Sequence, residues 1–405
     1  MARIDNYGGH IVEQIYYSEN CNIAYDSDSV IVNGKPISAD EREKSSSEEY
    51  ALTKMRETYR AVLSRQYENI VVLSGSGTSV GVGVGERLGK TMSGLWKSVV
   101  DKLGFAKLQD FAKKIKFDFL DEMNTDLEAL LSKAILSQTF LNNSRVEKTI
   151  REIEAIIQEQ CSLELPENAP QLAFLRKLTA RKLKYSRVKI FTLNYDLLFE
   201  QAASKGGYVI IDGFSFSYPR LFNGINFDYD IVARNTNRPQ SEENFVAKVI
   251  HLYKPHGSLD WEKVETSDDE EHVIKSSNPR NPLMIYPSNT KFEHSYEQPY
   301  FEMISRFQQE LRTKNTLLFV IGFSFYDKHI KAMIYEALNV NPSITVVVIS
   351  PSGKEDDAFT DLKAKADIMG NIYLISETFQ NFVKYYPSSD IYDYSSKEGE
   401  KSDTV

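Results

Sequence analysis

Asn69-Ile70-Val71-Val72-Leu73-Ser74-Gly75-Ser76-Gly77-Thr78-Ser79 decides how the rest of the chain is read. Ile70 to Leu73 is an unbroken, mostly β-branched apolar run, the pattern of a strand covered on both faces. It runs straight into a glycine loop. Gly75 and Gly77 accept backbone angles that a Cβ forbids and let another group approach the main chain closely. Ser76, Thr78 and Ser79 add hydroxyls. A helix following directly would aim its N-terminus at the same point and favour an anion. The stretch predicts a cradle for phosphate or pyrophosphate, with an ordinary strand-to-helix turn as the competing reading. It completes neither common fingerprint. The dinucleotide pattern wants glycine where Val80 stands, and a P-loop ending at Gly89-Lys90-Thr91 wants one where Val84 stands.

Upstream, Ile15-Tyr16-Tyr17 and Val30-Ile31-Val32 read as strands, and Asn33-Gly34 as a hairpin turn. Glu41 to Glu49 is a charged connector, and Tyr50 to Tyr67 has helical spacing. Downstream, residues 95–184 read as helical. Leu127, Leu130, Leu131 and Ile135 share one helix face, with Asn124 or Thr125 as its cap, and Val146, Ile150, Ile153 and Ile157 share another. Pro166 and Pro170 interrupt the run. Arg176, Lys177, Arg181, Lys182, Lys184 and Arg187 form the densest basic cluster, read first as a helix end complementing its dipole and second as a nucleic-acid contact.

Beyond residue 187 strands and helices alternate. The strands are at Val188–Phe191, Tyr208–Ile211, Val249–Tyr253, Thr316–Ile321, Ile344–Ile349 and Ile372–Ile375, and Glu262 to Asn281 reads as a charged loop. This alternation predicts an α/β fold, a doubly wound parallel sheet that binds its ligand at the strands' carboxyl ends. The expected organisation is an N-terminal β extension with a connector helix over 1–65, and a main domain over 66–385 interrupted by helices at about 95–184. A mobile polar tail over 386–405 completes it.

The chain has 405 residues, 41% hydrophobic and 26% charged, enough for a sizeable core. A net charge of −9 argues against a surface that attracts nucleic acid as a whole. Its two cysteines, Cys21 and Cys161, cannot form a four-cysteine zinc site or a disulfide framework, so a reducing, cytoplasmic setting is expected. No apolar run is long enough to span a membrane, and Met1 to Asp5 has no signal-peptide core.

Three strand ends carry unusual polar residues. Thr192-Leu193-Asn194-Tyr195-Asp196 follows one strand, His256-Gly257-Ser258 another, and Gly322-Phe323-Ser324-Phe325-Tyr326-Asp327 a third. Asn194 or Asp196 alone would suit an Asx turn capping the next helix. Glycine with serine suits backbone approach to a ligand.

Together with Gly75-Ser76-Gly77-Thr78-Ser79, these segments resemble, in order, those of the sirtuin superfamily: a glycine-rich loop, a Thr-x-Asn-x-Asp segment, a catalytic His-Gly and a late Gly-x-Ser. Tyr195 and Phe325-Tyr326-Asp327 resemble the bacterial sirtuin-like branch of antiviral defence. The resemblance spans residues 68–350 and implies a Rossmann-like sheet with NAD as substrate. It assigns catalysis to Asn194 and His256, pyrophosphate binding to Gly75, Ser76, Gly77, Thr78 and Ser79, and the adenosine side to Gly322, Phe323 and Ser324. Asp196 would lie near the nicotinamide amide, with Thr192 and Tyr195 in the same binding segment. Deacylating sirtuins carry a zinc module with two cysteine pairs, which this sequence cannot supply, so no zinc is expected.

The implied reaction is NAD hydrolysis to nicotinamide and ADP-ribose. Such depletion requires silence until triggered, so a separate partner is expected: a HerA-type ATPase, or else a short-Argonaute protein. A homo-oligomer is also expected. The competing functions are a non-catalytic NAD or ADP-ribose sensor or scaffold subunit, a protein deacylase and a nuclease subunit. No metal-ligand cluster in the sequence predicts the last.

Overall fold

The apolar run at 70–73 lies in the middle of a sheet. The computed structural model describes residues 2–7, 10–38, 40–42, 45–123, 125–138, 140–141, 143–233, 244–265, 271–284, 298–351 and 357–387. The chain opens with antiparallel strands β1 (Ala2–Tyr7), β2 (His10–Ser18), β3 (Cys21–Tyr25), β4 (Val30–Val32) and β5 (Lys35–Ile37). Helix α1 (Ser47–Leu63) leads into β6 (Asn69–Ser74). A short hairpin of β7 (Gly83–Val84) and β8 (Arg87–Leu88) precedes α2 (Met92–Leu103), α3 (Phe105–Lys114), α4 (Leu127–Gln138) and α5 (Ser144–Cys161). Next come α6 (Pro170–Thr179), β9 (Val188–Thr192), α7 (Leu198–Gly206), β10 (Val209–Ile211), β11 (Arg220–Leu221) and β12 (Val249–Tyr253). A hairpin of β13 (Trp261–Glu265) and β14 (Glu271–Lys275) leads to α8 (Tyr300–Leu311) and β15 (Thr316–Ile321). The described chain ends with α9 (Lys328–Val340), β16 (Thr345–Ile349), α10 (Asp357–Met369), β17 (Ile372–Ile375) and α11 (Phe379–Tyr385).

Six parallel strands run β12-β9-β6-β15-β16-β17 across the sheet. Numbered along the chain from β6 with the edge strand β10 left out, these six have the 3-2-1-4-5-6 order of a doubly wound fold, whose switch point lies between β6 and β15. Every residue of β6 is buried. Ile70 and Val72 face a core shared with α1, α6, α7 and α11, while Val71 and Leu73 face one shared with α8, α9 and α10. Burying each such side chain is worth about 1.5–3 kcal/mol, which explains why the run has no polar alternation.

β10 extends the sheet beyond β12. At the opposite edge β2 pairs antiparallel with β17, Tyr17 facing Leu374 and Tyr16 facing Ile375. The N-terminal strands expected as an appendage therefore continue the sheet, because Ile15, Tyr16, Ile23 and Val30 share the core beneath α1. The Asn33-Gly34 turn is present, with φ of 51° and 74°, the left-handed pair that a two-residue hairpin needs.

Helices α2 to α5 enclose their own apolar core around Trp96, Phe111, Leu130, Leu131, Ile150 and Ile153. Tyr195 and Leu259 join it. The helical block thereby docks on the loops that follow β9 and β12.

Three sequence expectations need correction. Ala129 N–H donates to Asp126 Oδ1, so Asp126 takes the capping role at α4; Thr125 instead bonds Asp121, and Asn124 lies outside the described residues. The charged stretch 262–281 contains the β13–β14 hairpin, anchored by buried Trp261 and Val273, although 266–270 lie outside the description. Several cations of the basic cluster hold the fold together. Lys177 donates to the carbonyls of Val383, Lys384 and Tyr386 at the end of α11, and Arg181 to those of Tyr67 and Glu68. Arg187 forks onto Asp230. The expected tail from Ser388 lies outside the described residues. Among those described, no helix is long and apolar enough to cross a membrane.

Candidate functional site

β12, β9, β6 and β15 are consecutive parallel neighbours, so the four motifs emerge side by side from their carboxyl ends. The glycine loop of β6 does not start an α-helix. It forms a three-residue 3-10 turn, Ser76–Thr78, before the β7–β8 hairpin. Most of its amides are already engaged: Gly75 donates to Ile321 O, Gly77 to Gly322 O, Thr78 to Gly75 O, and Ser79 and Val80 to Ser76 O. No helix N-terminus and no open row of amides faces a ligand here, so the anion cradle expected from this loop needs a different basis.

Its glycines meet another backbone. A Cβ on Gly75 would lie 2.5 Å from Gly322 O, and one on Gly77 2.6 Å from Gly322 Cα. Gly322 itself has φ +61 and would bring a Cβ to 2.4 Å from Gly77 Cα. The loops after β6 and β15 are thus pressed together at the switch point, which requires glycine on both sides.

Asn194 is stapled to this junction. Its Nδ2 donates to Gly75 O at 3.0 Å, Thr78 Oγ1 at 3.2 Å and Ser79 Oγ at 2.8 Å. Gly75 O can only accept, which places the amide nitrogen on that side. Oδ1 therefore points away from the loop, and it accepts no hydrogen bond among the described residues. Asp196 is buried. Its Oδ2 accepts from Ser79 Oγ at 2.6 Å and its Oδ1 from Leu198 N–H at 3.1 Å, at the start of α7. Asn194 and Asp196 thus perform different tasks, one holding the glycine loop and one the turn into α7. Thr192 Oγ1 accepts from Asn194 N–H at 3.2 Å.

The segment carrying Asn194 is held from below by Lys254, at the end of β12. The Lys254 side chain is 2% exposed, and Nζ donates to Asp196 O at 2.5 Å, Tyr195 O at 3.2 Å and Glu200 Oε1 at 3.1 Å. Burial pushes the Glu200 carboxyl above the usual range, and the Lys254 ammonium opposes this. Cys161 stands close enough to feel Asp196; burial, then that carboxylate, push its thiol up to about 12.

His256 is buried beyond β12, with Nε2 3.3 Å from Asp327 Oδ2. Behind it, Ser258 Oγ donates to Asp260 Oδ1 at 2.6 Å, and Asp260 Oδ2 pairs with Lys275 at 3.2 Å. Lys275 also pairs with Asp212 at 2.8 Å. Burial pulls the Lys275 ammonium down, but Asp212, Asp260 and Glu200 together carry it above the usual lysine value.

Some residues expected at the site face elsewhere. Tyr195 is buried against the helical block, and Phe323 sits in the core with its ring 5.0 Å from that of Phe325. Ser76 and Gly77 are partly accessible and Ser324 is exposed. Lys254, Glu200 and Asp327 carried no assigned role in the sequence. The available signals were a lysine directly after a mostly apolar strand, and an aspartate directly before a helix, where a cap belongs. Among the described residues no group of three or more His, Cys, Asp or Glu could hold a metal ion.

Three solved structures are similar in outline. One concerns the mechanism and regulation of Sir2 enzymes (12% identity, 86% of this chain and 98% of that one, TM-score 0.39). A second is a Sir2 homologue in complex with NAD (13% identity, 84% and 94%, TM-score 0.36). A third is a mutant Sir2 homologue in complex with 2'-O-acetyl ADP ribose (12% identity, 86% and 99%, TM-score 0.33). No curated protein matches the chain. Residues 188–368, which carry Asn194, His256 and Asp327 but not the glycine loop, match the family model of the SIR2-like domain.

Proposed function

We propose that this chain is an NAD hydrolase that cleaves the nicotinamide–ribose bond. The observation that carries this reading is the convergence of Asn194 and His256 at the carboxyl ends of neighbouring strands β9 and β12, beside the switch point and within the span matching the SIR2-like domain. Nicotinamide leaves NAD with the electron pair of the broken C–N bond, through an oxocarbenium-like state. The chain must hold the ribose, place a water and receive its proton. Asn194, its Nδ2 tied to the glycine loop, offers Oδ1 to a water or a ribose hydroxyl. His256 supplies the imidazole, the side chain that most often serves as a general base. Water oxygen bonds the ribose carbon, His256 takes the water's proton and releases it to solvent, and NAD plus water becomes nicotinamide, ADP-ribose and a proton.

With most of the loop amides engaged, the diphosphate meets the hydroxyl of Ser76, and Ser324 lies on the adenosine side in this reading. Asp196 supports the segment carrying Asn194 and adjoins the nicotinamide amide. Two cysteines cannot supply the two pairs of a deacylase zinc module, which favours chemistry on the dinucleotide itself. The biological role in this reading is NAD depletion in antiviral defence, by a homo-oligomer released from silence by a partner such as a HerA-type ATPase. The resemblance of Tyr195 and of Phe325-Tyr326-Asp327 to the defence branch supports that part.

A second reading, an NAD or ADP-ribose sensor without turnover, is favoured by the structural use of Asn194 Nδ2. Incubation with NAD, alone and with the candidate ATPase, separates the two. Equal release of nicotinamide and ADP-ribose, abolished in His256→Ala, supports hydrolysis. Binding without release under both conditions refutes it.

A further inference from the structure

We infer that Asp327 is a positioning residue for His256: it holds the proton on Nε2 and leaves Nδ1 as the atom that takes the proton from water. The inference rests on the hydrolase reading for its function but on geometry for its substance. Asp327 divides its carboxylate between two tasks. Oδ1 caps α9, accepting from His329 N–H at 2.9 Å and Ile330 N–H at 3.2 Å. Oδ2 lies 3.3 Å from His256 Nε2, and the two side chains are 5% and 6% exposed. The capping bonds prevent the carboxylate from turning away from the ring.

An ionised carboxylate only accepts hydrogen bonds, so the nitrogen facing it carries the hydrogen. In neutral imidazole the lone pair then lies on Nδ1. When Nδ1 gains a proton, the adjacent carboxylate stabilises the imidazolium. It also offsets the positive end of α9, which would otherwise disfavour that cation.

The segment bearing Asp327 shows independent signs of being held in place. Phe325 has φ 61°, a conformation rarely adopted by bulky residues, and is kept there by packing against Phe323 and Phe359. Tyr300, at the head of α8, faces the same carboxylate; burial, then Asp327, push its phenol above the usual range. Lys254 and Asp260, on the chain segment of His256 itself, are engaged with Glu200 and Lys275. Asp327 is thus an acidic partner that the fold aims at the ring.

Asp327→Asn tests this cleanly. Asparagine caps a helix as well as aspartate does, so Oδ1 keeps its bonds to α9 while an amide donor replaces Oδ2. The His256 ring should then switch to the tautomer with hydrogen on Nδ1, and its pKa should fall by about one unit or more. Side-chain 15N resonances, assigned by comparison with His256→Gln, report both quantities in the full-length protein. The acid limb of the pH–rate profile for nicotinamide release should shift by the same amount, and thermal midpoints should show the fold intact. Asp327→Ser, which keeps a cap and removes the carboxylate, should lower the pKa likewise, and decides the matter if the Asn variant does not fold. An unchanged tautomer and pKa in the folded variant overturn the inference. The resonance measurement needs no turnover: absence of nicotinamide release by the wild type would refute the hydrolase reading alone.

Discussion

Replacing Lys254 by methionine removes a buried ammonium while keeping a side chain of similar length. The wild-type Nζ satisfies the carbonyls of Tyr195 and Asp196 and one oxygen of Glu200. Its loss strands a carboxylate whose side chain is 13% exposed and whose other oxygen, Oε2, has no hydrogen-bond partner among the described residues. Removing one member of a buried ion pair costs about 3–5 kcal/mol. That cost depends on pH in a defined direction. Burial raises the Glu200 pKa in the folded state, so the folded chain holds this proton more tightly than the unfolded one. The group's contribution to stability therefore falls as pH climbs above the ordinary carboxylate value and through the folded one. Without the ammonium the folded pKa rises further, and the deficit widens with pH. Lys275 and Asp260 also act on Glu200, one lowering its pKa and the other raising it. Both remain in the variant.

We expect Lys254→Met to lose about 4 kcal/mol at pH 8, where Glu200 must hold a proton against the solution or remain an unpaired charge. At pH 5 the loss should be about 2 kcal/mol, from two carbonyls without their donor. Urea unfolding of wild type and variant at both pH values measures this, and adding Glu200→Gln to the variant should remove most of the pH dependence. A deficit below about 1 kcal/mol, or one of equal size at the two pH values, would refute the reasoning.

Gly322→Ala should damage the site, since its Cβ would meet the Gly77 backbone at 2.4 Å in a left-handed conformation. We expect a loss of roughly 2 kcal/mol or more in stability together with loss of NAD binding; near-normal melting and binding would contradict the loop-to-loop contact. His251, buried in β12, has its pKa pulled down to about 4 by burial and then by Lys189. The unfolded chain binds that proton more readily, so stability should fall as pH drops from about 6.5 to 4, by up to roughly 3 kcal/mol. The same titration of His251→Asn should be correspondingly flatter, and an unaltered slope would contradict the assignment.

The sequence disclosed the parallel sheet because its strands are covered on both faces. Ile70–Leu73, Thr316–Ile321 and Thr345–Ile349 are apolar without alternation, which no exposed segment would tolerate. The strand ends of the site were legible for the same reason, since Asn194, His256 and Gly322 interrupt apolar runs. The use of the glycines was not legible. Gly75 and Gly77 suggested room for a ligand, whereas the backbone that fills the room belongs to Gly322, far along the chain. Lys254, Glu200 and Asp327 escaped assignment because each is a single residue whose partners come from other strands and helices. The 262–275 hairpin was hidden by its charged outer positions, with Trp261 and Val273 its buried anchors.

The central claim is that Asn194 and His256 act on NAD and do not merely hold the fold. The most direct measurement follows NAD binding by calorimetry and nicotinamide release in the same preparations of wild type and Asn194→Ala, with and without a candidate HerA-type ATPase. The account predicts that wild type binds and releases nicotinamide, while the variant stays folded, binds NAD at least in part and releases none. Turnover by the variant at the wild-type rate would contradict the account.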